Sequence, residues 1–183
     1  MLQSQRLNVS AIREVFHWTK PQGSFLKCNV GCSWINSKRK CGVSWITRDS
    51  QGRVLMHSRR SYSAIQTRLE AELLSILWAA EGMKNLHFKE VIFESSSAMA
   101  MNAVLQPHKA PAFRNILVEI RSLLMSLDNW KIKTVNQGGN KVAAKIAASV
   151  TEEHRYQSYV AAEEPSWLSL VISSEARNGT SEL

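Results

Sequence analysis

Only Asp49 and Asp128 are aspartates among the 15 acidic residues of this chain. Any chemistry that needs several converging aspartates is therefore short of material. Among the glutamates, Glu72 lies inside a run whose apolar residues, Leu69, Leu73, Ile76, Leu77, Ala80 and Met83, recur at helical spacing. At about 100° per residue, Glu72 sits about 40° from Ile76, at the edge of that apolar stripe. A carboxylate there is costly unless something pairs with it. A metal would supply a partner, and so would a hydrogen-bond donor. His17, His57, His87, His108 and His154 are scattered without metal-ligand spacing. Ser95-Ser96-Ser97 lacks the GxSxG setting of a serine hydrolase. Cys28, Cys32 and Cys41 make neither an even framework nor a CxxC pair, which points to reduced core thiols in an intracellular protein, nuclear or cytoplasmic.

The elements that position these residues can be read from the period of the apolar pattern. Phe25 to Cys32 alternates, with Leu26, Cys28, Val30 and Cys32 on one side and Lys27, Asn29 and Gly31 on the other. Cys41 to Thr47 and Val54 to Tyr62 read as two further strands. Asp49-Ser50-Gln51-Gly52 reads as the turn between them. A helix is predicted from Thr67 to Leu86, then a short strand from Glu90 to Ser95. Helices follow at Ser97–Gln106 and Pro111–Asp128, then a strand at Trp130–Val135 and a helix from Lys141 to Glu153. The predicted order, β-β-β-α-β-α-α-β-α, implies an α/β fold: a mixed five-stranded sheet, three antiparallel strands then βα units, flanked by helices. The expected division is a polar leader at 1–17, one domain at 18–154 and a C-terminal tail at 155–183. Trp34, Trp45 and Trp78 read as core more readily than as base-stacking platforms.

Charge adds a second clue. The chain carries +8 overall, and residues 1–60 hold eleven Lys/Arg against Glu14 and Asp49 alone. Lys38-Arg39-Lys40 and Arg59-Arg60 are the densest groups. Such asymmetry suits an anionic partner, most simply nucleic acid, although solvated turns would produce it too. At 183 residues with 44% hydrophobic and 21% charged residues, the composition excludes a disordered or collagen-like chain. There is no apolar run of the ~18 residues that a membrane span needs, and no secretory h-region at the start.

Five words on this framework carry a resemblance. They are Trp18-Thr19-Lys20-Pro21 with Leu26-Lys27-Cys28-Asn29-Val30; Gly42-Val43 with Arg48-Asp49-Ser50-Gln51-Gly52; Glu70-Ala71-Glu72-Leu73-Leu74; Glu94-Ser95-Ser96-Ser97; and Asn140-Lys141-Val142-Ala143-Ala144. In this order the chain from Trp18 to Val150 resembles the plant reverse-transcriptase-like ribonuclease H family, related to retroelements. The resemblance implies a ribonuclease-H-like fold and a nuclease that cuts the RNA strand of an RNA–DNA hybrid. It also implies two Mg²⁺ held by three Asp and one Glu, because two such ions about 4 Å apart need converging carboxylates.

Measured against that pattern, three of the four ligands are replaced. Gly31, Ser96 and Ala144 stand at the three Asp positions, and Gln137 stands where the family often has Arg. Glu72 alone survives, as a vestigial catalytic carboxylate. Glu94 shares a strand face with Ser96 but lies a pleat step away, about 6–7 Å, which makes it a poor substitute. The expectation is a catalytically degenerate domain that binds RNA–DNA hybrid or duplex without a cofactor, through Lys27, Asn29, Lys38, Arg39, Lys40, Arg59 and Arg60. Two alternatives stay open: an active Mg²⁺-dependent hybrid nuclease, and a protein-interaction module with no nucleic-acid role.

Overall fold

The computed structural model describes residues 17–179. The expectations for the leader, save His17, lie outside the described residues. The order is β1 (Leu26–Ile35), β2 (Lys40–Arg48), β3 (Val54–Ser63), α1 (Arg68–Asn85), β4 (Glu90–Ser95), α2 (Ala98–Leu105), α3 (Arg114–Leu124), β5 (Asn129–Thr134), α4 (Lys141–Thr151), β6 (Tyr159–Ala162) and α5 (Ser169–Asn178). One mixed sheet runs β5-β4-β1-β2-β3-β6. β1, β2, β3 and β6 pair antiparallel, and β4 lies parallel to β1 and β5. The architecture is thus the mixed sheet with flanking helices that the period predicts, with six strands in place of five.

The additional strand falls in the segment read as a tail. Tyr159–Ala162 is short, with alternating half-buried and exposed residues, and it exists through pairing with β3. Beyond it, Leu168 and Ile172 pack with Ile46, Val142, Ala143 and Ile146. Arg48, 1% exposed, pairs with Glu175 of α5 at 2.7 Å and lies 4.0 Å over the Trp18 ring. Residues 155–178 therefore belong to the packed unit. α3 begins later than predicted, because Pro107 and Pro111 each open a separate 3₁₀ turn before it.

Local chemistry explains the helix that carries Glu72. Thr67 caps α1 by accepting from Glu70 N at 3.1 Å, and the Glu70 carboxylate reaches back to Gln66 N at 2.8 Å. The helix ends where His87 adopts φ 58°, a left-handed residue just past the cap. Its buried side, Leu73, Ile76, Ala80 and Met83, packs with Cys28, Val30, Phe93 and Val91 of the sheet, alongside α2 and α3.

α4 covers the opposite face, and two glycines let it approach. A Cβ at Gly31 would lie 2.2 Å from the Ala143 carbonyl oxygen, and one at Gly42 would lie 2.3 Å from that of Ala147. Ser44, opposite Gly31, donates from its hydroxyl to the Ala143 carbonyl at 2.6 Å. At the two glycines the helix backbone thus comes directly against the strand backbone. Both faces of the central strand β1 are consequently covered. No helix among the described residues is long and apolar enough to cross a membrane.

Candidate nucleic-acid interface

Glu72 is 9% exposed and fully engaged. Its Oε1 accepts from Arg68 Nε at 2.9 Å, and its Oε2 accepts from the Ser97 hydroxyl. The hydrogen bond to Glu72 is the main cause holding the Arg68 guanidinium above its ordinary pKa. Ser97 also caps α2, accepting from Ala100 N at 3.1 Å, while Ser95 Oγ accepts from Ser97 N at 3.1 Å. The serine triplet thus builds a strand-to-helix turn, in keeping with its lack of a nucleophile's setting.

Arg68, Ser96 and Ala144 line one cleft of about 390 Å³, together with Gln137, Lys141 and Lys145. Two of the three replaced ligand positions, Ser96 and Ala144, therefore meet beside the arginine that covers Glu72. Gly31 does not behave as an empty ligand position. Its side-chain direction is filled by the α4 backbone, and the next two residues, Cys32 and Ser33, line the cleft. The Cys32 thiol is pushed above its ordinary pKa by burial first, then by Cys41 and Glu72, with Arg68 opposing. Cys28 and Cys41 are buried free thiols, and Cys41 is raised to about 12, mainly by burial.

The donor set does not fit two Mg²⁺. The cleft offers hydroxyl, thiol, amide, ammonium and guanidinium groups, and each oxygen of the adjacent carboxylate already accepts a hydrogen bond, one from Arg68 and one from Ser97. Hard divalent ions need oxygen ligands, several of them anionic. Among the described residues, no group of three His, Cys, Asp or Glu is placed to hold a metal.

The basic residues singled out from sequence separate into three groups. Lys27 is 0% exposed and Asn29 1%, so neither reaches a phosphate, and both are corrected to structural roles. Lys27 Nζ pairs with Glu94 Oε1 at 2.8 Å and donates to Thr19 Oγ1 at 2.8 Å. Asn29 donates to Glu94 Oε2 at 2.9 Å and accepts from Trp18 Nε1 at 2.9 Å. A buried amide and ammonium satisfy a buried carboxylate here, as burial of charge requires. Glu94 is thereby spent as a ligand candidate.

Arg59 and Arg60 point to opposite faces, as successive strand residues must. Arg59 lies 4.9 Å over Tyr159 and donates to Gln157 O at 3.2 Å. Arg60 lies 4.8 Å from both the Tyr62 and Trp78 rings. They cannot serve one phosphate surface together. Lys38 and Arg39 in the turn after β1 and Lys40 at the start of β2 are exposed, with Lys40 4.7 Å over the Tyr156 ring. Arg68, Lys141 and Lys145 were missed by sequence reasoning. The available signal was their position, four residues before Glu72 and on either side of Ala144. Of the tryptophans, Trp45 is fully buried, while Trp34 and Trp78 are half-buried and donate to Ile65 O and Ser58 Oγ.

A mixed sheet of this order, with α1 and α4 on opposite faces and a site where β1, β4, α1 and α4 converge, defines a ribonuclease-H-like domain. The chain belongs to the reverse transcriptase-like family, whose signature spans residues 28–150. Solved structures agree on the fold. RNase H1 from the halophilic archaeon Halobacterium salinarum NRC-1 superposes with TM-score 0.64 at 17% identity, covering 70% of this chain and 98% of that one. The N-terminal RNase H domain of rv2228c from Mycobacterium tuberculosis gives TM-score 0.64 at 13% identity, over 70% and 94% of the two chains. LC11-RNase H1, solved in complex with an RNA/DNA hybrid, gives TM-score 0.63 at 15% identity, over 70% and 98%. No curated protein matches the chain.

Proposed function

We propose that this domain binds RNA–DNA hybrid or duplex and does not cleave it. The observation that carries this reading is the content of the cleft. Ser96 and Ala144 line the cleft without a carboxylate, Gly31 has the α4 backbone where a side chain would go, and Arg68 pairs with the one carboxylate that is left. In-line hydrolysis of a phosphodiester needs an activated water and a stabilised leaving oxygen, and a two-ion site supplies both. This cleft lacks the anionic ligands for either ion. What stays intact is the fold and a cationic surface, comprising the Lys38-Arg39-Lys40 turn and the rim of the cleft.

Phosphate contacts position nucleic acid without reading its sequence. Affinity should therefore fall steeply with salt and depend little on sequence. Fluorescence anisotropy with a labelled hybrid and a duplex across a salt series tests this. Micromolar or tighter binding at low salt, weakened by each increment of salt, supports the reading. No binding at low salt would favour a protein-interaction module.

A further inference from the structure

We propose that the cleft between Arg68 and α4 is a metal-independent seat for a backbone phosphate of nucleic acid, with Arg68, Lys141 and Lys145 standing in for the divalent ions. The proposal rests on the binding reading above and deepens it by assigning the site.

The electrostatics of the cleft are inverted relative to a metal centre. No Asp or Glu lines it among the described residues, and three cations do. With Glu72 beneath Arg68 included, three cations face one carboxylate, leaving a net +2. A divalent cation is repelled by such a site and a phosphate diester is attracted. Arg68 is 77% exposed although its Nε is engaged by Glu72, so Glu72 braces the guanidinium at the cleft. A guanidinium held in this way is a preorganised phosphate ligand.

The lysines supply the other wall. Lys141 and Lys145 are exposed, lie four residues apart on α4, and form no ion pair among the described residues. Four residues advance a helix by about 6 Å, so both ammoniums can reach one phosphate or two neighbouring ones. Their mutual repulsion is relieved when an anion lies between them. Lys141 is the first residue of α4, and its N-cap Asn140 makes no side-chain capping bond. Ser96 and Gln137 add neutral donors. The cleft, at about 390 Å³, has room for a phosphate with its flanking sugar atoms.

The test is anisotropy with a fluorescent RNA–DNA hybrid, in EDTA and in Mg²⁺ at matched ionic strength. It uses the full chain, the double variant Lys141→Ala/Lys145→Ala, and the double variant Lys141→Arg/Lys145→Arg. Circular dichroism melts verify folding, since both lysines are exposed. Wild-type affinity should be no weaker in EDTA than in Mg²⁺. The alanine variant should bind about tenfold more weakly at low salt, with a log–log salt slope shallower by about 1.8 for two lost contacts. The arginine variant should keep both affinity and slope. Wild-type binding that needs Mg²⁺ would overturn the seat. So would an unchanged slope in the alanine variant, and binding would then lie elsewhere on a domain that still binds. Failure of the wild type to bind in either buffer would overturn the binding reading and the seat together.

Discussion

Replacing Gly31 by aspartate, the obvious repair of the first ligand position, should damage the fold and restore nothing. The new Cβ would sit 2.2 Å from the Ala143 carbonyl oxygen, 2.5 Å from its carbon and 2.6 Å from Ser44 Oγ. The first two are helix backbone, so α4 must lift by about 1 Å to reach ordinary contact. Overpacking of this kind costs about 1–3 kcal/mol. The lift also strains the 2.6 Å hydrogen bond from Ser44 to Ala143, a contribution of about 1 kcal/mol. A carboxylate facing a carbonyl oxygen in a buried position adds a further penalty of about 1–3 kcal/mol. Together these reach about 3–7 kcal/mol, a large share of the 5–15 kcal/mol that holds a typical domain. Urea denaturation followed by tryptophan fluorescence measures it. Gly31→Ala should lose the overpacking and hydrogen-bond parts, about 2–4 kcal/mol, and Gly31→Asp the whole, whereas Ser96→Asp and Ala144→Asp should stay within about 0.5 kcal/mol of wild type because both positions are exposed. A Gly31→Asp protein as stable as wild type would refute the reasoning and return that position to the site.

Three further outcomes follow from the geometry. Lys27→Met removes the cationic partner of a buried carboxylate, so it should cost about 3–5 kcal/mol in the same urea assay; a loss under 1 kcal/mol would mean that the remaining contacts of Glu94, Asn29 among them, satisfy its charge. Burial holds His57 below the ordinary imidazole value, against the opposing hydrogen bond to the Glu163 carbonyl. Its protonation therefore favours the unfolded chain: the stability is present above about pH 6.5 and is lost as pH falls toward the lower folded value, so the wild-type Tm should drop more steeply from pH 7.5 to 5.5 than that of His57→Gln, and equal slopes would contradict this. The raised, buried thiols of Cys28 and Cys41 should react with a thiol-directed chromogenic disulfide at pH 8 only slowly in the native protein and promptly in denaturant; fast native labelling of either would contradict their protonated, enclosed state.

Elements whose residues obey one period were legible in the sequence. α1 and β4 are examples: the first keeps one apolar stripe over 18 residues, and the second is a short apolar run buried by a crossover. β1 shows the limit. Its alternation sets Lys27, Asn29 and Gly31 on one side, and nothing in that pattern distinguishes a ligand-facing side from a buried one. A central strand covered by helices on both sides has no outer face, so its polar residues must find each other, and no pattern within the strand reveals that. β6 was invisible for a related reason, since an edge strand of four residues is made by the partner it pairs with. At the site, Glu72, Ser96 and Ala144 could be aligned by their surrounding words. The words also place Gly31, but that its side-chain direction is closed by backbone shows only in the contact with α4.

The most direct test of a domain that binds without cutting is release of labelled RNA from an RNA–DNA hybrid in Mg²⁺ or Mn²⁺. It is run at a protein concentration where anisotropy shows the hybrid bound. Wild type and Glu72→Ala should both hold the hybrid and release no fragment above the protein-free rate. Metal-dependent cleavage by the wild type that disappears in Glu72→Ala would contradict the account, because it would place a working metal centre on a carboxylate that Arg68 and Ser97 already occupy.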